Sequence, residues 1–208
     1  MSLKQTFSDL LAKYTNDQDL ALRMWQEIED YYGSAQRLYH NLQHIEDMLN
    51  KLSAVKEEIE DWDTLVFALF YHDIVYSVPA FDNEIRSADL ACKRLQELGL
   101  ATEKVERCRQ HILATQRHWP VKDCDTNYFM DADLSIWGED WERYKDYASC
   151  IRKEYARYSD KEYSEGRRNA LLHFLGRNRI FTTEHFYAAY EQQARINLKR
   201  ALNELAYA

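Results

Sequence analysis

Two adjacent residues, His72 and Asp73, follow directly on the apolar run Leu65 to Tyr71. A helix that is apolar on every face lies inside a domain rather than on its surface. An imidazole and a carboxylate at its end therefore enter low-dielectric surroundings, where an unpaired charge is costly and a counter-charge or metal ion is required. Three further donors stand just before or on other helical segments: His40 and His44 in RLYHNLQHIEDML, and Asp133 in MDADLSIWG. One histidine, a His-Asp pair and a later aspartate make a hard-to-borderline ligand set. Such a set suits one divalent first-row ion that keeps positions open for water. The expected ligands are His44, His72, Asp73 and Asp133, with Mn, Mg, Co, Ni, Zn and Fe all compatible.

Each of these residues also has a plainer reading. His44 alone could be a hydrogen-bonded core histidine, and Asp133 could pair with an arginine, the usual fate of a buried carboxylate. The joint order H, HD, D favours the metal. The two histidines of HNLQH resemble the helical pair of a zinc protease, but that chemistry needs a glutamate base between them, where this chain has Asn41.

Helical spacing positions the donors. Leu3 to Tyr14 and Asp17 to Tyr32 carry apolar residues three and four apart, and Gly33 ends the second segment. From Leu42 the stripe Leu42, Ile45, Met48, Leu49 and Leu52 marks a helix whose apolar edge includes His44. The buried helix Asp61 to Tyr71 leads into IVYSVPAFD, where Pro79 bars simple helical continuation. Asp82 is then expected to cap Asn83 to Leu98, closed by Gly99, and Thr102 to about Arg117 forms a further helix.

In Asn127 to Trp137, Asp133 has Phe129, Met130, Ile136 and Trp137 three and four residues away, whereas Asp131 has a more mixed set. Asp133 is thus the better ligand. Helices over Glu139 to Tyr158, Glu162 to Leu175 and from Thr182 or Thr183 to about Leu205 complete an all-α chain of one domain over residues 1–208.

Glu84, in a first helical turn near the His72-Asp73 loop, either favours its helix dipole or positions water. Arg37 and Arg117 are candidates to grip a phosphate, and His118 to touch substrate. Tyr76, Tyr39 and Trp119 could stack a base or simply fill a helical core. His111 and His118 are further metal-binding candidates.

With 208 residues, five glycines and two prolines, the chain has room for one sizeable core and little punctuation for hairpins. A net charge of -8 disfavours general affinity for nucleic-acid backbone or an anionic membrane, so a small phosphorylated partner is expected instead. Cys92, Cys108, Cys124 and Cys150 form no CxxC pair and read as buried free thiols. With no apolar stretch of membrane-spanning length and no apolar leader, a cytoplasmic protein is expected.

The segments RLYHNLQHI, FYHDIVY, FDNEIRSADLA and DADLSIWG together resemble the HD-domain metal-dependent phosphohydrolases, specifically a small bacterial group with RxYHNxxHI followed by YHDxVY. The same words are similar to the YHNxxHA, HD and ADLS segments of cyclic nucleotide phosphodiesterases. This resemblance implies a compact HD-type helical bundle and a hydrolase that cleaves a phosphate ester, a nucleotide among the candidates. It implies His44, His72, Asp73 and Asp133 as ligands and His40 as proton donor to the leaving group. Beside that, Arg37 is the first candidate to stabilise the phosphoryl oxygens and Glu84 a candidate to position water. The pattern departs from the dinuclear branches at ILATQRH, which favours one ion. A metal- or nucleotide-binding sensor module with little turnover is the alternative.

Overall fold

Whether eight consecutive side chains can be buried depends on the element that carries them, and a central helix does it with its backbone bonds satisfied internally. In the computed structural model, which describes residues 2–78 and 80–206, the helix Trp62–Tyr71 buries every side chain from Thr64 to Tyr71. Pro79 lies outside the described residues. All regular elements among these are helical: α1 Leu3–Leu11, α2 Gln18–Tyr32, α3 Leu42–Ser53, α4 Trp62–Tyr71, α5 Asn83–Glu97, α6 Thr102–Ala114, α7 Cys124–Leu134, α8 Trp141–Glu154, α9 Asp160–Leu175 and α10 Glu184–Ala206. Short 3-10 turns span Lys56–Glu58 and Ser135–Gly138. The chain divides into two compact units, Met1–Met130 and Asp131–Ala208, and the boundary falls inside the continuous helix α7. No helix of the described residues is long and apolar enough to cross a membrane.

In the first unit α4 packs against α3, α5 and α6. Its Phe67 and Phe70 meet Phe7 of α1, with ring centroids 6.4 and 4.7 Å away, and Trp25 of α2 stands edge-on to Phe70 at 6.4 Å. Four large rings in mutual contact provide dispersion and apolar burial at one place, which fixes α1 and α2 on the central helix.

Helix ends follow local polar chemistry. The side chains of Asp17, Asn41 and Asp61 accept backbone N–H groups at the starts of α2, α3 and α4. Asp82 occupies the cap position of α5 but makes no capping bond there; Asn83 instead exchanges two bonds with the Ser77 backbone. Gly99 closes α5 at φ 74°, with Gly99 N–H donating to Gln96 O and Leu100 N–H to Leu95 O. Gly33 ends α2 at φ -80°, so it is not the left-handed terminus its type suggests. Of the four thiols, only Cys108 is fully buried and Cys124 is exposed, which corrects the uniform burial expected of them.

In the second unit the 3-10 turn Ser135–Gly138 packs on α10. A Cβ at Gly138 would stand 2.5 Å from Tyr190 Cβ, so only glycine permits this approach. Buried Asn197 of α10 holds the same turn by donating to Trp137 O and Glu139 O, both at 2.8 Å.

Replacing Phe7 by alanine removes the ring shared by α1, α2 and α4. Urea denaturation should show a loss of about 3–5 kcal/mol; a loss below about 1 kcal/mol would mean that the ring cluster does not anchor the N-terminal helices.

Candidate metal centre

The backbone of α4 ends at His72, whose side chain turns back so that Nδ1 lies 2.9 Å from Leu69 O. A carbonyl can only accept, so Nδ1 carries a proton, and Nε2 lies on the opposite side of the ring. Nε2 then faces His44 Nε2 at 3.3 Å and Asp73 Oδ2 at 3.2 Å. Both imidazoles are buried. Acceptor lone pairs that converge in a buried place need a proton or a cation between them.

α7 brings the third donor. Phe129, buried on α7, packs edge-on to His72 with centroids 5.6 Å apart, and Asp133 is one helical turn further along the same face. One ligand atom each from His44, His72 and Asp133 lies within 4.8 Å of the others. The fit to a metal can be judged from the 3.3 Å separation of the imidazole nitrogens. Two nitrogens at about 2.1 Å from one ion stand roughly 3.0–3.4 Å apart, depending on octahedral or tetrahedral geometry. The spacing of the two imidazoles therefore fits a divalent ion. Asp73 is not in the three-residue cluster but touches its edge through His72.

Asp131 has a different use. Its carboxylate accepts Thr182 N–H at 2.9 Å, Thr183 N–H at 2.7 Å and the Thr183 hydroxyl at 2.7 Å, anchoring the turn into α10. Asp125, one turn before Phe129, similarly accepts the backbone N–H groups of Glu60 and Asp61.

His40 precedes α3 in a turn held by Asn41, whose side chain accepts Gln43 N–H at 2.8 Å and donates to Leu38 O and Arg37 O. The residue that stands where a protease would need its base is thus a helix cap. His40 stacks on Tyr76 at 4.3 Å and meets Tyr39 edge-on at 5.1 Å, and its Nε2 is 4.0 Å from Asp73 Oδ2. Tyr76 accordingly forms part of the wall behind His40.

Arg37 has backbone partners in this fold. Its guanidinium donates to Asp73 O at 2.6 Å, Ile74 O at 2.7 Å and His40 O at 3.3 Å, between the rings of Tyr32 and Tyr76. It is a brace that ties the His40 turn to the Asp73 loop, not a residue extended toward a phosphate. That loop is tied in turn to α5: Ser87 Oγ accepts Val75 N–H and donates to Val75 O. Glu84 sits half-buried in the first turn of α5. Arg117, exposed, and His118, at φ 51°, follow the end of α6; neither belongs to the three-residue cluster.

His111 is outside the cluster as well. It is buried on α6, with Nδ1 2.7 Å from Thr126 Oγ1, while the Thr126 hydroxyl donates to Asp123 Oδ2 at 2.5 Å. With that hydroxyl proton committed, Nδ1 must be the donor to Thr126. Burial pushes the His111 imidazole down to about 4, against the raising influence of Asp123. Spacing could not reveal this network, because its partners come from two helices joined by an irregular loop.

Two outcomes follow from these assignments. His111 binds a proton more weakly folded than unfolded, so stability is retained above the unfolded value near 6.5 and falls as pH drops toward 4. The loss by pH 4 attributable to this group is at most about 3 kcal/mol. His111→Gln should flatten that part of the stability–pH curve, and an unchanged slope would refute the assignment. Metal titration by calorimetry should show Asp133→Asn weakening Mn2+ or Zn2+ at least about tenfold. Asp131→Asn should lower the thermal midpoint with metal affinity retained, and equal weakening in both would invert the two roles. Comparison of the chain with family models, curated proteins and solved structures gives no match.

Proposed function

We propose that this chain is a metal-dependent phosphohydrolase that cleaves a phosphate ester, with small nucleotides among its candidate substrates. The observation that carries this reading is the meeting of His44, His72 and Asp133 within 4.8 Å, together with the committed Nδ1 proton of His72. A divalent cation bound there would supply Lewis acidity to a phosphoryl oxygen and an activated water near neutral pH.

The remaining work falls to the chain's own groups. His72 keeps its lone pair aimed at the centre because Leu69 O holds the other nitrogen. Asp73 Oδ2, between His72 Nε2 at 3.2 Å and His40 Nε2 at 4.0 Å, favours a proton on His40 Nε2, from which it can pass to a departing oxygen. The Tyr76 and Tyr39 rings fix the imidazole plane so that the proton is presented in one direction. Arg37 keeps the His40 and Asp73 backbones in register.

One observation favours a second reading, a metal-binding module with little turnover: the Arg37 guanidinium, bonded to the backbone beside Asp73, is engaged with carbonyls rather than reserved for a phosphate.

Phosphate release from phosphomonoesters, nucleotides and cyclic nucleotides, assayed with added Mn2+, Mg2+, Co2+ or Ni2+, separates the readings. His40→Ala should lower the rate by about 10²- to 10⁴-fold with metal binding kept, whereas Asp73→Ala should impair both. Metal binding without phosphate release from any of these substrates would leave the binding module as the function.

A further inference from the structure

The second unit contains a cavity of about 340 Å³ between α8 and α9, lined by Ile151, Tyr155, Tyr158, Tyr163, Gly166 and Arg167, with Glu162 at its side. Its size falls within the range of small-ligand sites, and a largely apolar, aromatic lining with a few charged groups, here Arg167 and Glu162, is the usual composition of such sites. Arg167 is the unusual member. Arg152, Arg179, Arg195 and Arg200 of the same unit each hold a carboxylate, of Asp160, Glu184, Glu191 and Glu204. Half-buried Arg167 instead donates to two phenol oxygens, Tyr147 at 3.1 Å and Tyr144 at 3.3 Å, and lies over the Tyr147 ring at 5.3 Å. The Tyr147 oxygen already accepts Trp137 Nε1–H at 3.1 Å, so it offers the cation a dipole and no net charge. Among the described residues no carboxylate stands within 4.0 Å of Arg167.

A guanidinium has five donors in one plane, and two phenols leave most of them available for a planar anion. Tyr155 and Tyr158, whose rings are near-parallel at 6.0 Å, and Tyr163 provide aromatic surface beside it. Glu162 is committed to the Ser159 cap of α9 through Ser159 N–H and Oγ–H, and its negative charge disfavours a dianion at the same opening. We propose that this cavity is a binding site for a small aromatic monocarboxylate, with the carboxylate on Arg167 and the ring against Tyr155, Tyr158 and Tyr163. The site is independent of the metal centre and does not rest on the phosphohydrolase reading.

Ligand-observed NMR on the full chain, kept metal-free with EDTA, tests the site with benzoate. Benzyl alcohol serves as a ring without charge and acetate as a charge without ring. Benzoate should bind saturably, roughly in the millimolar range, and both controls at least about fivefold more weakly. Arg167→Met should weaken benzoate about tenfold or more. Because Arg167 also ties Tyr144 and Tyr147, Gly166→Leu is the second variant: a Cβ at Gly166 meets nothing within 4 Å, so the side chain enters open space and should block the cavity with the charge retained. Absence of saturation with benzoate, benzyl alcohol binding as tightly as benzoate, or undiminished binding in Gly166→Leu would each overturn the proposal. Binding abolished by His72→Ala but kept in Gly166→Leu would place the carboxylate at the metal centre and overturn it equally.

Discussion

A single backbone carbonyl decides what the centre can do. Leu69 O takes the Nδ1 proton of His72, and Nε2 lies 3.3 Å from His44 Nε2 and 3.2 Å from Asp73 Oδ2. Had Nδ1 met a donor instead, Nε2 would have to carry the proton and could present no lone pair to a cation. The carbonyl is available because His72 caps the C-terminus of α4, where the closing turn leaves carbonyls without intrahelical partners. Thus the helix that fills the core also places the proton of His72 on Nδ1 at its own end, which leaves Nε2 as the nitrogen that faces His44 and Asp73.

Carboxylates of the same chemical type diverge in use because of where α7 turns them. At 100° per residue, Asp131 and Asp133 project about 200° apart around the helix. Asp131 meets the N–H groups of Thr182 and Thr183, whereas Asp133 shares a face with Phe129, which packs on His72. Asp125 lies one turn before Phe129 and is spent on the Glu60 and Asp61 backbone.

The sequence shows the elements more readily than the uses of polar side chains. An apolar run of seven residues can only be a buried segment, and the spacing around Asp133 separates its face of α7 from that of Asp131, so α4 and the different settings of these two aspartates are readable from pattern alone. Boundaries were less legible: α7 begins at Cys124, three residues before Asn127, and gives way at Ser135 to a 3-10 turn that Gly138 lets pack on α10. The uses of Arg37 and His111 were not legible. Each depends on partners brought together by loops, Asp73 and Ile74 for one and Thr126 with Asp123 for the other, and no local periodicity encodes a loop's path.

Arg37 shows why a charged residue near a candidate site cannot be given a catalytic task from proximity. Three carbonyls from two separate stretches converge on its guanidinium, and two tyrosine rings cover it. Carbonyls left without that donor would be buried acceptors with no partner, a cost of about 1–3 kcal/mol each. Turning the side chain outward would therefore release the Asp73 loop from the His40 turn. The charge of Arg37 is, for that reason, committed to holding these two stretches of backbone together.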